Sequence, residues 1–347
     1  MRTRVAAGVG FAALLFLLVQ LGALALVPTF YEQGYQTVED PSDPTNSLVY
    51  IGAILVATAA MLAAFKFDLQ WVVRGFVVLA TASLSWYVFS VFLPPLAAIG
   101  ASVAVAAALL VHPEWYVIDT AGVLMGAGAA GLFGISFGLL PALVLLTVLA
   151  VYDAISVYGT EHMLDLAAGV MDLNLPVVLV VPTTLSYSLR DASTDVGAGD
   201  DAGHGTEGAE AETADVDNET EGAEAGTADV DHTSDDAGEE SETDDGVRDA
   251  FFIGLGDAVI PTVMVASAAF FLPSSLTPSL GVPGLPALTL PALTAMVGTF
   301  AGLFTLLWMV LKGRPHAGLP LLNGGAIGGY LLGALASGVP LLTALGL

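Results

Sequence analysis

The 347-residue chain has no cysteine and only eight lysines and arginines. The first absence excludes disulfides, thiolate nucleophiles and zinc-thiolate sites, and it leaves the redox compartment unread. The second excludes nucleic acid as a partner, because too few cations remain to neutralise a phosphate backbone. Charge itself is scarce: 12% of residues are charged and 55% are apolar, with a mean hydropathy of +0.79. That is the profile of a chain crossing a bilayer many times. The formal charge of −26 does not oppose this reading, since 22 of the 34 acidic residues lie between positions 191 and 249. Extreme acidity in the one large soluble stretch, with little lysine, points to a high-salt cytoplasm.

A membrane-spanning helix takes about 20 predominantly apolar residues, and nine candidates meet the description: 5–27, 48–65, 72–93, 96–111, 120–137, 139–158, 250–272, 288–311 and 319–345. With the N-terminus cytoplasmic, Arg2, Arg4, Lys66, Arg74, Arg190, Arg248, Lys312 and Arg314 all fall in cytoplasmic connections. These are all the lysines and arginines of the chain, so the positive-inside rule predicts an all-α polytopic protein with nine spans and its C-terminus outside. Residues 1–27 also carry a signal-peptide pattern, Arg2 and Arg4 before an apolar run with Ala23 and Ala25 after it. The run exceeds the usual ~7–15 residues of such a segment, which favours a retained first helix.

Residues 190–249 form a Gly, Ala, Asp, Glu and Thr tract, in which EGAEAETADVD at 207–217 recurs as EGAEAGTADVD at 221–231. Such a composition buries too little apolar surface to order itself, so the tract is predicted to be a disordered cytoplasmic loop. No calcium-loop ligand pattern occurs in it. It divides the chain into a six-helix part (1–189), the loop (190–249) and a three-helix part (250–347).

Ionisable groups inside hydrocarbon are functional candidates by default. Asp68 and Asp119 fall at span edges, and Asp165 and Asp172 follow the sixth span, which leaves Asp153 and Asp257 as the embedded acids. Counted at about 1.5 Å per residue from the cytoplasmic ends of consecutive spans, both lie roughly 8–9 Å deep. Two carboxylates facing one another share a proton and titrate as a pair. One serves as general base on water, and the other, protonated, polarises a carbonyl and assists the leaving amine. Gly254 and Gly256 remove side chains before Asp257, allowing close backbone approach, and Tyr152 stands beside Asp153.

Tyr152-Asp153 in the sixth span and Gly254-Leu255-Gly256-Asp257 in the seventh resemble the YD and GxGD motifs of the presenilin and signal peptide peptidase family. The span count, the long loop after the sixth span and the inside N-terminus match too, so the resemblance covers nearly the whole chain, and extreme-halophile archaeal members are the relatives it suggests. It implies an intramembrane aspartyl protease in the cell membrane, acting from the cytoplasmic side on transmembrane helices or signal-peptide remnants, and it does not imply obligate partner subunits. A third family motif, Pro-Ala-Leu, stands here as Ala317-Gly318-Leu319-Pro320. Its first two positions depart, and Leu319 and Pro320 keep the ending. The substrate-supporting set is thus Tyr152, Gly254, Leu255, Gly256, Leu319 and Pro320.

Other readings compete. Buried acid pairs also mark proton- or cation-coupled transporters, but these show repeat symmetry, and six spans plus three offer no pair of halves. Gly134-Ile135-Ser136-Phe137-Gly138 spells GxSxG, which is a nucleophile elbow only between a strand and a helix. His112, His162, His204, His232 and His316 all lie outside the spans, so Ser136 is read as a packing residue. No HExxH occurs, and neither metal nor other cofactor is predicted. Gly122 and Gly126, and Gly324, Gly325, Gly328, Gly329 and Gly333, form small-residue faces for close helix packing. In the ninth span they could also leave room for Leu319 and Pro320. Residues 176–182, rich in valine, have strand propensity and serve either as an interfacial tether or as an edge that pairs with an unwound substrate.

Overall fold

A computed structural model describes residues 2–67, 69–159, 178–182, 187–188, 250–312 and 317–347. The acidic tract and its duplication lie outside the described residues, as do Pro176 and Val177. Six helices come first: α1 (Arg2–Glu32), α2 (Thr45–Lys66), α3 (Gln70–Phe92), α4 (Pro95–Val111), α5 (Trp115–Ser136) and α6 (Leu139–Gly159). A strand on each side of the acidic tract follows, β1 (Val178–Pro182) and β2 (Ala250–Gly254). Then come α7 (Leu255–Phe271), α8 (Leu290–Val310), α9 (Gly318–Ala336) and a single turn, α10 (Leu341–Ala344). Seven of the described helices are long and apolar enough to cross a membrane; α4 and α7 are apolar but have 17 residues each.

The seventh predicted span is therefore corrected. Its first five residues are extended and pair antiparallel with β1, Val178 opposite Gly254 through Pro182 opposite Ala250. The reason is local: Gly254 and Gly256 each weaken a helix by about 1 kcal/mol relative to alanine, while Phe251, Phe252 and Ile253 are strand formers. Because β1 supplies backbone partners along one edge, the extended segment pairs those polar groups without a helix. The ninth predicted span is also divided. Gly338, at φ 79°, stops α9, with Gly338 N–H donating to Leu335 and Val339 N–H to Ala334, and Pro340 follows. This is a left-handed C-terminal cap.

Helix α5 lies at the centre. Ala121, Ala130 and Ile135 are fully buried, and a methyl group on Gly126 would sit 3.2–3.3 Å from Leu255, Val19 and Val259. Gly126 thus brings α1 and α7 close against α5, and Gly122 is buried on the same helix. Helix α1 belongs to this core, with Phe16, Val19, Leu24 and Phe30 fully buried. One apolar cluster joins Phe16, Val19, Leu255, Val259, Leu303 and Leu322 to Leu179 and Val181 of the sheet. Another joins Leu146, Met264, Val265, Ala292 and Tyr330. Where α5 meets α6, the Ser136 hydroxyl accepts from both Thr37 N–H (3.1 Å) and Thr37 Oγ1 (3.0 Å). Ser136 sits between two helices and is committed to holding the 33–44 connection.

Candidate active site

Asp153 projects from the last turns of the long α6, and Asp257 from the first turn of α7, directly after β2. The depth expected for Asp257 by counting helical rise is thus replaced by a different route: five extended residues and the first turn of α7 bring it to the site. Both acids are partly buried, and both converge on the N-terminus of α9. Leu319 N–H donates to Asp153 Oδ2 at 3.0 Å, and Gly318 N–H also hydrogen-bonds that carboxylate. Gly318 adjoins the second acid: a Cβ there would lie 3.4 and 3.5 Å from the Asp257 oxygens and 3.3 Å from Leu306. Gly254 lies on another side, where a Cβ would be 3.5 Å from Asp257 Oδ2. Asp153 is near enough to act electrostatically on Asp257.

A helix N-terminus presents unpaired amides and the positive end of the helix dipole. The start of α9 therefore supplies a fixed donor to one of the two neighbouring carboxylates. Two further features position α9. Asn323, fully buried one turn on, donates from Nδ2 to the Leu146 carbonyl of α6 at 2.9 Å. Along its other face, α9 packs backbone to backbone on α8: methyl groups on Gly298, Gly302, Gly325 or Gly329 would each run into a carbonyl of the facing helix.

Among the supporting residues read from the sequence, Gly254 and Leu319 stand at the acids, and Pro320 follows Leu319 in the first turn of α9. Leu255 does not face the cleft; it is 5% exposed and packs into the core against Gly126. Gly256 opens onto free space. Tyr152 is exposed, and the hydrogen bonds on Asp153 come from α9. In the ninth span Gly325, Gly329 and Gly333 form the α8 seam, whereas Gly324 and Gly328 face nothing within 4 Å. Gly318, Asn323 and Asp119 are missing from the site residues read from the sequence. The signal for Gly318 was its place in the altered motif. Asp119 was set at a span edge, but α5 begins five residues earlier than predicted and buries it to 3% exposure.

Residues 13–339 match the family model described as signal-peptide peptidase, presenilin aspartyl protease. The chain belongs to this family. Two solved structures of presenilin-family intramembrane aspartate proteases are similar to it. One, in the C222 space group, is 29% identical with a TM-score of 0.60, over 94% of this chain and 99% of that one. The other, in the P2 space group, is 30% identical with a TM-score of 0.56, over 93% and 96%. No curated protein matches the sequence. As a member of the presenilin and signal-peptide peptidase family, the chain is a multi-pass membrane protein of the intramembrane aspartyl protease class.

Proposed function

We propose that this chain is an endopeptidase that hydrolyses peptide bonds within transmembrane segments or signal-peptide remnants, with Asp153 and Asp257 as its catalytic pair. The observation that carries the reading is the meeting of both carboxylates at the first turn of α9, beside the end of β2. Asp153, held by the Leu319 and Gly318 amides, keeps one orientation. The pair then holds one proton between them. The ionised member takes a proton from water as it attacks the scissile carbonyl, and the protonated member hydrogen-bonds the carbonyl oxygen and later protonates the leaving nitrogen. A scissile bond must first leave its helix, because a helical amide is screened by its own hydrogen bonds and neighbouring turns. An extended substrate segment added to β2 would present such a bond beside Asp257. Family membership does not favour the transporter alternative.

In this reading the enzyme lies in the cell membrane with nine spans, α1–α9, and a cytoplasmic N-terminus. The active site faces the cytoplasm, and the 190–249 loop separates a six-helix part bearing Asp153 from a three-helix part bearing Asp257. Reporters fused at positions 35 and 160 should read outside and inside; an outside signal at 160 would overturn the orientation. Purified protein should cleave a single-span membrane reporter with a bell-shaped pH dependence, since both the doubly protonated and doubly ionised pairs lack one role. Replacing either Asp153 or Asp257 by Ala or Asn should lower the rate by at least about a thousandfold, as expected when a member of a catalytic unit is removed. Equal cleavage with and without the Asp257 carboxylate would end the assignment.

A further inference from the structure

Asp119 lies in the second turn of α5, 3% exposed, and it takes no part in the chemistry above. Its Oδ1 accepts from Val180 N–H of β1 at 2.8 Å, while Oδ2 has no hydrogen-bond partner among the described residues. A buried carboxylate with one oxygen unmatched is costly. Its bond to β1 shows what the cost secures.

Pairs in an antiparallel ladder alternate between those that exchange hydrogen bonds and those that do not. Val180 stands opposite Phe252 but gives its amide to Asp119, so this pair is of the second kind. The backbone groups of β1 that point away from β2 are then those of Val178, Val180 and Pro182. Asp119 occupies Val180, and Pro182 has no N–H to offer. On the opposite edge the outward groups belong to Ala250, Phe252 and Gly254, of which Phe252 and Gly254 are exposed. That edge ends three residues before Asp257.

We propose that Asp119 is a positioning residue: it takes the central outward amide of β1 at Val180 and fixes the sheet against α5, so that an extended substrate joins β2 in one register relative to Asp257. The inference rests on the protease reading and deepens it. Each residue of strand spans about 3.3 Å, and a slip that keeps side chains on their faces moves the chain two residues. A loosened sheet therefore changes where cleavage falls as well as how fast.

The experiment uses full-length protein and a single-span peptide, with product ends read by mass spectrometry and amide exchange followed over residues 178–182. Asp119→Asn keeps an acceptor oxygen; Asp119→Val removes it; Val180→Pro removes the donor from the other side, so either variant reports if the other fails to fold. The Asn variant should stay within about threefold of the parent with the same product ends. The Val variant and Val180→Pro should each lose on the order of tenfold in kcat/KM, as for a lost hydrogen bond, and yield displaced products. Exchange in β1 should quicken in the Val variant, and the double variant should be no worse than Asp119→Val alone. Parent rate and product ends in Asp119→Val, or an Asn variant as impaired as Val, would overturn the proposal. A parent that cleaves nothing sinks the protease reading instead. Unchanged β1 exchange in Asp119→Val sinks the clamp whether or not cleavage is seen.

Discussion

Glycines on the two flanks of the molecule stand in opposite surroundings. Gly52 of α2, Gly75 of α3 and Gly100 of α4 have nothing within 4 Å of where a methyl group would go. On α8 and α9, Gly298, Gly302, Gly325 and Gly329 each face a backbone carbonyl of the neighbouring helix. The α2 helix also leaves Leu48, Val49, Leu55 and Val56 exposed, whereas Leu303, Leu322 and Tyr330 of the α8–α9 pair are buried. Hydrocarbon is as apolar as leucine, so burial of apolar surface does not draw helices together in a bilayer; close packing and a few polar bonds do. The flank that carries the α9 amides is held by both. The α2 helix of the other flank leaves its apolar side chains uncovered.

The sharpest test of this contrast makes one substitution on both sides. Gly302→Leu should prevent α9 from docking, with loss of folded protein in detergent, because a side chain there has no flexible neighbour to displace, only the Leu321 and Leu322 backbone. Gly52→Leu should leave melting temperature and activity within error. Equal tolerance at both positions would remove the distinction between the flanks. A smaller effect is expected at Asn323. Asn323→Leu should cost about 1 kcal/mol, the usual worth of an interhelical side-chain bond in a membrane, and should lower kcat more than it raises KM, because it shifts the α9 amides relative to Asp153; a change in KM alone would mean that Asn323 touches substrate. Smallest of all, Gly318→Ala, which restores the middle residue of the family motif, places a methyl group at ordinary contact distance from Asp257 and should change kcat/KM by no more than about threefold. A collapse of activity would show that the approach of substrate needs the bare Cα.

Much of the site was legible before any coordinates. Asp153 and Asp257 were singled out because a buried carboxylate is rare enough in an apolar run to need a reason, and Ser136 was set aside because its surroundings offered no base. The misreadings have separate causes. Residues 250–254 were read as helix because hydropathy does not separate an extended apolar segment from a helical one; the deciding fact, a partner strand at 178–182, comes from across the acidic tract. The span to 345 was drawn past Ser337-Gly338-Val339-Pro340 although that stop signal is local and readable, because the apolar run continued. Residues 176–182 allow either a tether or an edge for substrate, and the structure gives the Val180 amide to Asp119, a residue 61 positions away.

The sequence by itself determined the membrane habit, the two acids and their motifs, and the small-residue faces, since each depends on composition or on spacing within one segment. Only the tertiary structure decided which glycines are seam and which stand open, that the Val180 amide is taken by Asp119, and that both acids meet at the start of α9. Those outcomes depend on which backbone groups find partners across segments far apart in the chain. In a bilayer an unpaired group has no water to turn to, so the pairing itself, rather than any local preference, sets the arrangement.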